Sequence, residues 1–221
     1  MRKHKKRFPT MYAVIAAVAI IISSTIGGSL AWLVDSTDEV ENTFTVGNIN
    51  IDLTETDATK VDDKLTKEYK MIPGNVLDKD PSVIVKAGSE ACWLFVNVEE
   101  STNLDTFIQY EIITGEGGWT AYDEINYPSV YYREVEATTA ERTFPIIGYK
   151  DTDSVTSSET DDDSLVQNRV LVKGTVEKAE MDGLTADTYP TLTFKAVAVQ
   201  KDNRTLAQAW DEAKALLGFT N

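Results

Sequence analysis

Histidine and cysteine carry much of the acid–base, nucleophilic and zinc chemistry of proteins, and this chain of 221 residues has one of each, His4 and Cys92. A Ser–His–Asp or Cys–His relay needs a histidine beside its nucleophile, and a zinc centre draws its three or four protein ligands from His, Cys and carboxylates. Neither can be assembled from His4 and Cys92. The chain has no H-E-x-x-H, G-x-S-x-G, G-x-x-x-x-G-K-[ST] or G-x-G-x-x-G motif, and no cofactor is expected. Carboxylates are abundant instead, at 36 Asp and Glu. A pair of them could act as the acid and base of a glycosidase, but with so many acids the sequence singles out no pair. A calcium loop starting at Asp151 would need Gly at its sixth place and Glu at its twelfth, where the chain has Thr156 and Asp162. Looser carboxylate groups occur at Asp35–Glu41 and Asp161–Asp163, and both read as solvated acidic faces. Cys92 lies in the apolar run "ACWLFVNV" and reads as a small core residue.

The elements that would have to position any site are mostly strands. In "NRVLVKGTVEK", Val170, Val172 and Val176 share one parity, while Arg169, Lys173, Thr175 and Glu177 take the other. Leu192, Phe194, Ala196 and Ala198 form one face of "PTLTFKAVAVQ", and Ile108, Tyr110 and Ile112 one face of "FIQYEII". A period of two marks a half-buried strand. "SVIVKA" and "CWLFVNV" are apolar on both faces, as central strands can be. In "TFTVGNINIDL", Phe44 and Val46 have even parity and Ile49, Ile51 and Leu53 odd. An extra residue at Gly47-Asn48 would restore one buried face, which is a β-bulge; two short strands meeting at a turn would also give this pattern. One helix is expected, over 205–218. Thr205 and Gln208 match a capping box, Leu206, Ala209, Trp210, Ala213 and Leu217 form one stripe, and Gly218 stands where a helix stops. The run 150–164, with six acids, reads as a solvated loop.

The amino terminus differs in kind. "MRKHKKR" carries five basic residues and no acid, and Met11–Ile22 is an unbroken apolar run of twelve. That is short of the roughly 20 residues that span a bilayer. A basic start, a short apolar run and small residues at a cut site describe a secretory signal peptide. Ser29 and Ala31 are the small residues, which puts cleavage after Ala31 and the new end at Trp32. An uncleaved anchor is the alternative reading, disfavoured by Gly27, Gly28 and the polar Ser23-Ser24-Thr25. Loss of 1–31 removes five of 21 basic residues and none of the 36 acids, and leaves a net charge of −20 over 190 residues. Such a chain does not seek nucleic acid or anionic lipid, so its membrane contact is expected only through the uncleaved leader.

With leader, cut site and first strand laid out, the chain resembles the TasA/camelysin family of secreted Gram-positive proteins. The resemblance rests on "GGSLAWLVDSTDEVENTFTVGNINIDL", on "MIPGNVLDKDPSVIVKAGSEACWLFVNV" and on "LTFKAVAVQ", the first being the most specific. It implies a jelly-roll-like antiparallel β-sandwich, export through a leader read by a dedicated signal peptidase, and assembly into biofilm matrix fibres outside the cell or at its surface. The family name also carries a peptidase label, which a processed chain without histidine makes a poor expectation.

The expected organisation is a signal peptide over 1–31, an exposed segment over 32–43 and a sandwich domain over 44–221. Its partners are expected to be other copies of itself, joined head to tail, and the signal peptidase during export. The freed segment can add as a strand to a neighbour's open sheet edge, with Trp32, Leu33 and Val34 as its apolar anchors. A monomeric surface protein that binds a ligand and a carboxylate-based hydrolase are the competing readings.

Overall fold

The computed structural model describes residues 48–61, 64–150 and 165–219, all within one compact unit, Val46–Asn221. The architecture is mainly β, in several antiparallel sheets, as in a β-sandwich. The leader, the cut site and Trp32–Thr43 lie outside the described residues, as do Phe44, Val46 and Gly47 of the proposed bulge and the acidic run 151–164.

The strands are β1 (Ile51–Thr54), β2 (Thr59–Val61), β3 (Lys64–Thr66), β4 (Val76–Asp78), β5 (Ser82–Val85), β6 (Cys92–Glu100), β7 (Ile108–Gln109), β8 (Glu111–Ile112), β9 (Thr120–Asp123), β10 (Tyr127–Val135), β11 (Arg142–Pro145), β12 (Ile147–Tyr149), β13 (Val166–Gln167), β14 (Arg169–Val172) and β15 (Leu192–Gln200). The largest sheet runs β15-β6-β10-β9. β1-β5-β11, β4-β14-β7 and β13-β12-β8 form three smaller sheets, and β2-β3 is a separate hairpin.

β6 explains why the large sheet sits in the middle. Its even positions, Cys92, Leu94, Val96 and Val98, enter a core shared with Val83 and Val85 of β5 and with Val170 and Val172 of β14. Its odd positions, Trp93 and Phe95, enter a second core on the opposite face. A strand buried on both sides must be apolar on both parities, which is what "CWLFVNV" shows. The polar exception, Asn97, accepts from Ser129 Oγ at 2.7 Å and donates to Glu99 at 3.0 Å. β15 follows suit: Leu192, Phe194, Ala196 and Ala198 pack on the first core and Val197 and Val199 on the second.

The second core is closed by a helix. Of the helices α1 (Leu104–Phe107), α2 (Lys178–Asp182) and α3 (Leu206–Ala213), α3 is the expected carboxy-terminal one. Its capping box forms as the sequence indicates: Gln208 N–H donates to Thr205 Oγ1 at 3.3 Å and Thr205 N–H to Gln208 Oε1 at 2.9 Å. Trp210 packs at 4.6 Å from Tyr122 and 4.7 Å from Tyr127 between ring centroids, and Phe95 lies beneath it at 5.7 Å. The helix ends at Ala213, earlier than expected, and a turn carries the stripe on to Leu217 and to Gly218 at φ +101.

α1 and α2 were not expected. α2 is only five residues long and has a Glu177/Glu180 capping box, so its signal differs from the usual Ser/Thr form. It begins where the alternating pattern of "NRVLVKGTVEK" ends: β14 stops at Val172, and Val176 reaches the core from a loop. "FIQYEII" also breaks at Tyr110, so that β7 pairs β14 and β8 pairs β12. Ile108, Tyr110 and Ile112 still face one core, because parity fixes the face and not the pairing partner.

Candidate assembly edge

A strand-adding contact needs a row of unpaired backbone groups, so each sheet margin matters. β15 pairs only with β6. Ser101 N–H donates to Thr191 O, and Lys201 N–H to Ala91 O, both at 2.9 Å. These two bonds set the phase of the ladder, because antiparallel residues alternate between bonded and non-bonded pairs. Odd residues of β15 therefore bond to β6. Leu192, Phe194, Ala196, Ala198 and Gln200 turn their N–H and C=O groups outward, where they meet no ladder partner among the described residues. Nine residues give an edge of about 30 Å without a proline.

The other margins are short or blocked. In β11, Ile146 N–H donates to Pro81 O at 3.0 Å, which by the same alternation leaves Thr143 and Pro145 facing out. Pro145 has no N–H, and its carbonyl already accepts from Trp119 Nε1 at 2.9 Å. Arg142, on the Phe144 face of the same strand, is exposed and adds a charge to this margin. Proline and charged side chains on an edge strand are devices that keep edges from pairing. β9 has four residues and an irregular register against β10. β1 runs close to β15 from the facing sheet, but it too has four residues and offers only Ile51 and Leu53. Among the described residues β15 is the longest open edge.

Ser29, Ala31, Trp32, Leu33 and Val34 lie outside the described residues, as do the acid groups at Asp35–Glu41 and Asp161–Asp163. Cys92 is fully buried, and burial pushes its thiol up to about 11, so at neutral pH it is a core side chain rather than a nucleophile. Among the described residues no three His, Cys, Asp or Glu converge as a metal site would require.

One open cleft of about 460 Å³ is lined by Glu99, Glu100, Tyr110, Ser129 and Tyr131. Its carboxylates are engaged. Glu99 accepts from Lys195 at 2.8 Å and from Asn97, and Glu100 accepts from the Tyr110 hydroxyl. Burial, and then the Glu100 carboxylate, push the Tyr110 phenol up, which keeps it a donor. The β15 edge had no motif to announce it in the sequence. Its alternation marked a half-buried strand, but edge position depends on which strands pair.

No family model, curated protein or solved structure matches the chain.

Proposed function

We propose that this chain is a secreted structural protein of the TasA/camelysin kind, a jelly-roll-like sandwich whose copies join into extracellular fibres. Signal peptidase cuts between Ala31 and Trp32, the freed segment Trp32–Thr43 becomes an extended strand, and that strand adds to the open edge of β15 in the next copy. Twelve extended residues reach about 40 Å, enough to run along an edge of about 30 Å. Such a contact is head to tail, and a head-to-tail contact that does not close gives a filament. Trp32, Leu33 and Val34 supply the apolar anchors, and main-chain bonds supply the rest.

The observation that carries this reading is the contrast between margins. β11 is stopped by Pro145 and carries the charge of Arg142, while β15 meets no ladder partner on its outer side among the described residues. A soluble protein that exposes a long, unblocked edge invites pairing. The surface carries the opposing term: at a net charge near −20 the copies repel one another, so contact has to come from a directed ladder.

Electron microscopy of the chain Trp32–Asn221 beside a chain lacking Trp32–Glu39 tests this. Filaments from the first and folded monomers from the second are expected. Filaments from both would remove the amino-terminal strand from the contact, and none from either would remove the fibre reading itself.

A further inference from the structure

Arginine usage inside the sandwich is unusual for so acidic a chain. Of the four arginines in the described residues, Arg169 pairs with Asp78 at 3.1 Å and Arg204 with Glu212 at 2.9 Å. Arg133 and Arg142 have no carboxylate partner and no hydrogen bond among the described residues. They face each other across the gap between sheets. Arg133 stands opposite Leu94 on β6, and Arg142 opposite Val85 on β5, both of them residues of the first core. The two guanidinium groups converge on one ring: Arg133 Cζ lies 3.8 Å, and Arg142 Cζ 5.3 Å, from the centroid of Phe144. Trp119 flanks Arg133 at 5.5 Å. Arg133 Nε is buried with no acceptor. Burial, and then the charge of Arg142, pull the Arg133 pKa down.

One neighbouring acid feels part of this charge: Arg142, after Lys201, helps hold the Glu136 carboxyl down, without a hydrogen bond between them. Glu134 of β10 and Glu136 just beyond it are both taken by Lys201, the second at 2.7 Å. Glu141 is taken by Lys86 at 3.1 Å. Strand parity sends Glu134 to the opposite face of β10 from Arg133, and no carboxylate hydrogen-bonds to Arg133 or Arg142 among the described residues. Stacking on Phe144 accounts for the position of Arg133, yet it leaves both N–H forks unused. A planar guanidinium fork matches a carboxylate with two parallel bonds. The site is reachable from the Arg142 side, since Arg142 is exposed, while Trp119 flanks Arg133.

We infer that Arg133 and Arg142 form a carboxylate-binding site over the Phe144 ring, filled by an acidic side chain of a second copy of this chain. The identity of the occupant rests on the assembly reading above; the site itself does not. A surface with many more acids than bases gives each approaching copy carboxylates to offer. This margin, stopped against strand pairing by Pro145, can then hold a neighbour by side chains where β15 holds one by backbone.

A glutarate titration of the exported chain, at constant ionic strength and followed by 15N NMR of the arginine Nε–H groups, tests the site. Signals of Arg133 and Arg142 should move, with those of Arg169 and Arg204 still. Arg142→Gln, at an exposed position that the fold tolerates, should weaken glutarate roughly tenfold. No movement, or equal movement of all four, overturns the site. Assembly tests the occupant. Arg142→Gln should raise the concentration needed for fibres, whereas Arg169→Gln, the same charge change elsewhere, should raise it less. Equal effects overturn the second copy as occupant. Absence of fibres from every chain overturns the assembly reading and the occupant with it, and the titration still decides the site.

Discussion

Proline placed on alternate residues of β15 separates folding from assembly. At Ala196 the N–H points outward and bonds nothing on β6. Ala196→Pro therefore removes a donor only from the open edge, and edge positions with a solvent-facing N–H are where strands accept proline. At Val197, opposite Phe95, the N–H belongs to the inner ladder. Val197→Pro leaves a buried carbonyl without its donor, at a cost of about 1–3 kcal/mol before any ring clash. Urea titration should thus find Ala196→Pro within about 1 kcal/mol of the parent and Val197→Pro well below it. For assembly the order reverses. An added strand at Ala196 would lose one bond outright and the two flanking ones to the pyrrolidine ring. At about 1 kcal/mol net each, that is about 3 kcal/mol per contact, or roughly a hundredfold in the concentration at which fibres appear. Sedimentation of serial dilutions measures that threshold. A folded Ala196→Pro chain with an unchanged threshold would refute β15 as the receiving edge.

Other outcomes follow from the same geometry. Trp210→Ala strips the centre from the aromatic layer of Phe95, Tyr122 and Tyr127, and should cost about 3–5 kcal/mol in a denaturant melt. Cys92 should resist iodoacetamide in the native protein at pH 8 and react once urea unfolds it, because its thiol is buried and pushed up to about 11. The Lys201 ammonium, hydrogen-bonded to Glu136, holds that carboxyl below its ordinary value. The stabilisation from this pair is present above the ordinary carboxylate range and is lost as the pH falls through the lowered value. Lys201→Met should return the Glu136 titration, read by carbon NMR, to the ordinary range.

Face and partner differ in how far the sequence reveals them. The alternation in β15 named its side chains on the first core, and the two-faced apolar run of β6 marked a strand buried on both sides, because side-chain parity is local chemistry. The capping box at Thr205 and the stripe through Trp210 located α3 for the same reason. The break of "FIQYEII" at Tyr110 was not legible, since it is set by two different neighbours, β14 and β12, that lie far away in sequence. α2 was hidden by its length and by Glu177 in a place usually held by Ser or Thr. The candidate edge was legible only as an apolar strand. That β15 is outermost among the described residues is a property of the pairing order, as is the meeting of Arg133 with Arg142, which come from different sheets.

The packing of α3 over the large sheet bears on the girth of any polymer this chain forms. One face of that sheet is roofed by helix and aromatic rings, and the other is shared with the smaller sheets. Neither is left to stack flat against a neighbouring molecule. If copies join by strand addition as proposed, growth adds length without adding layers, and the expected object is a filament one molecule thick.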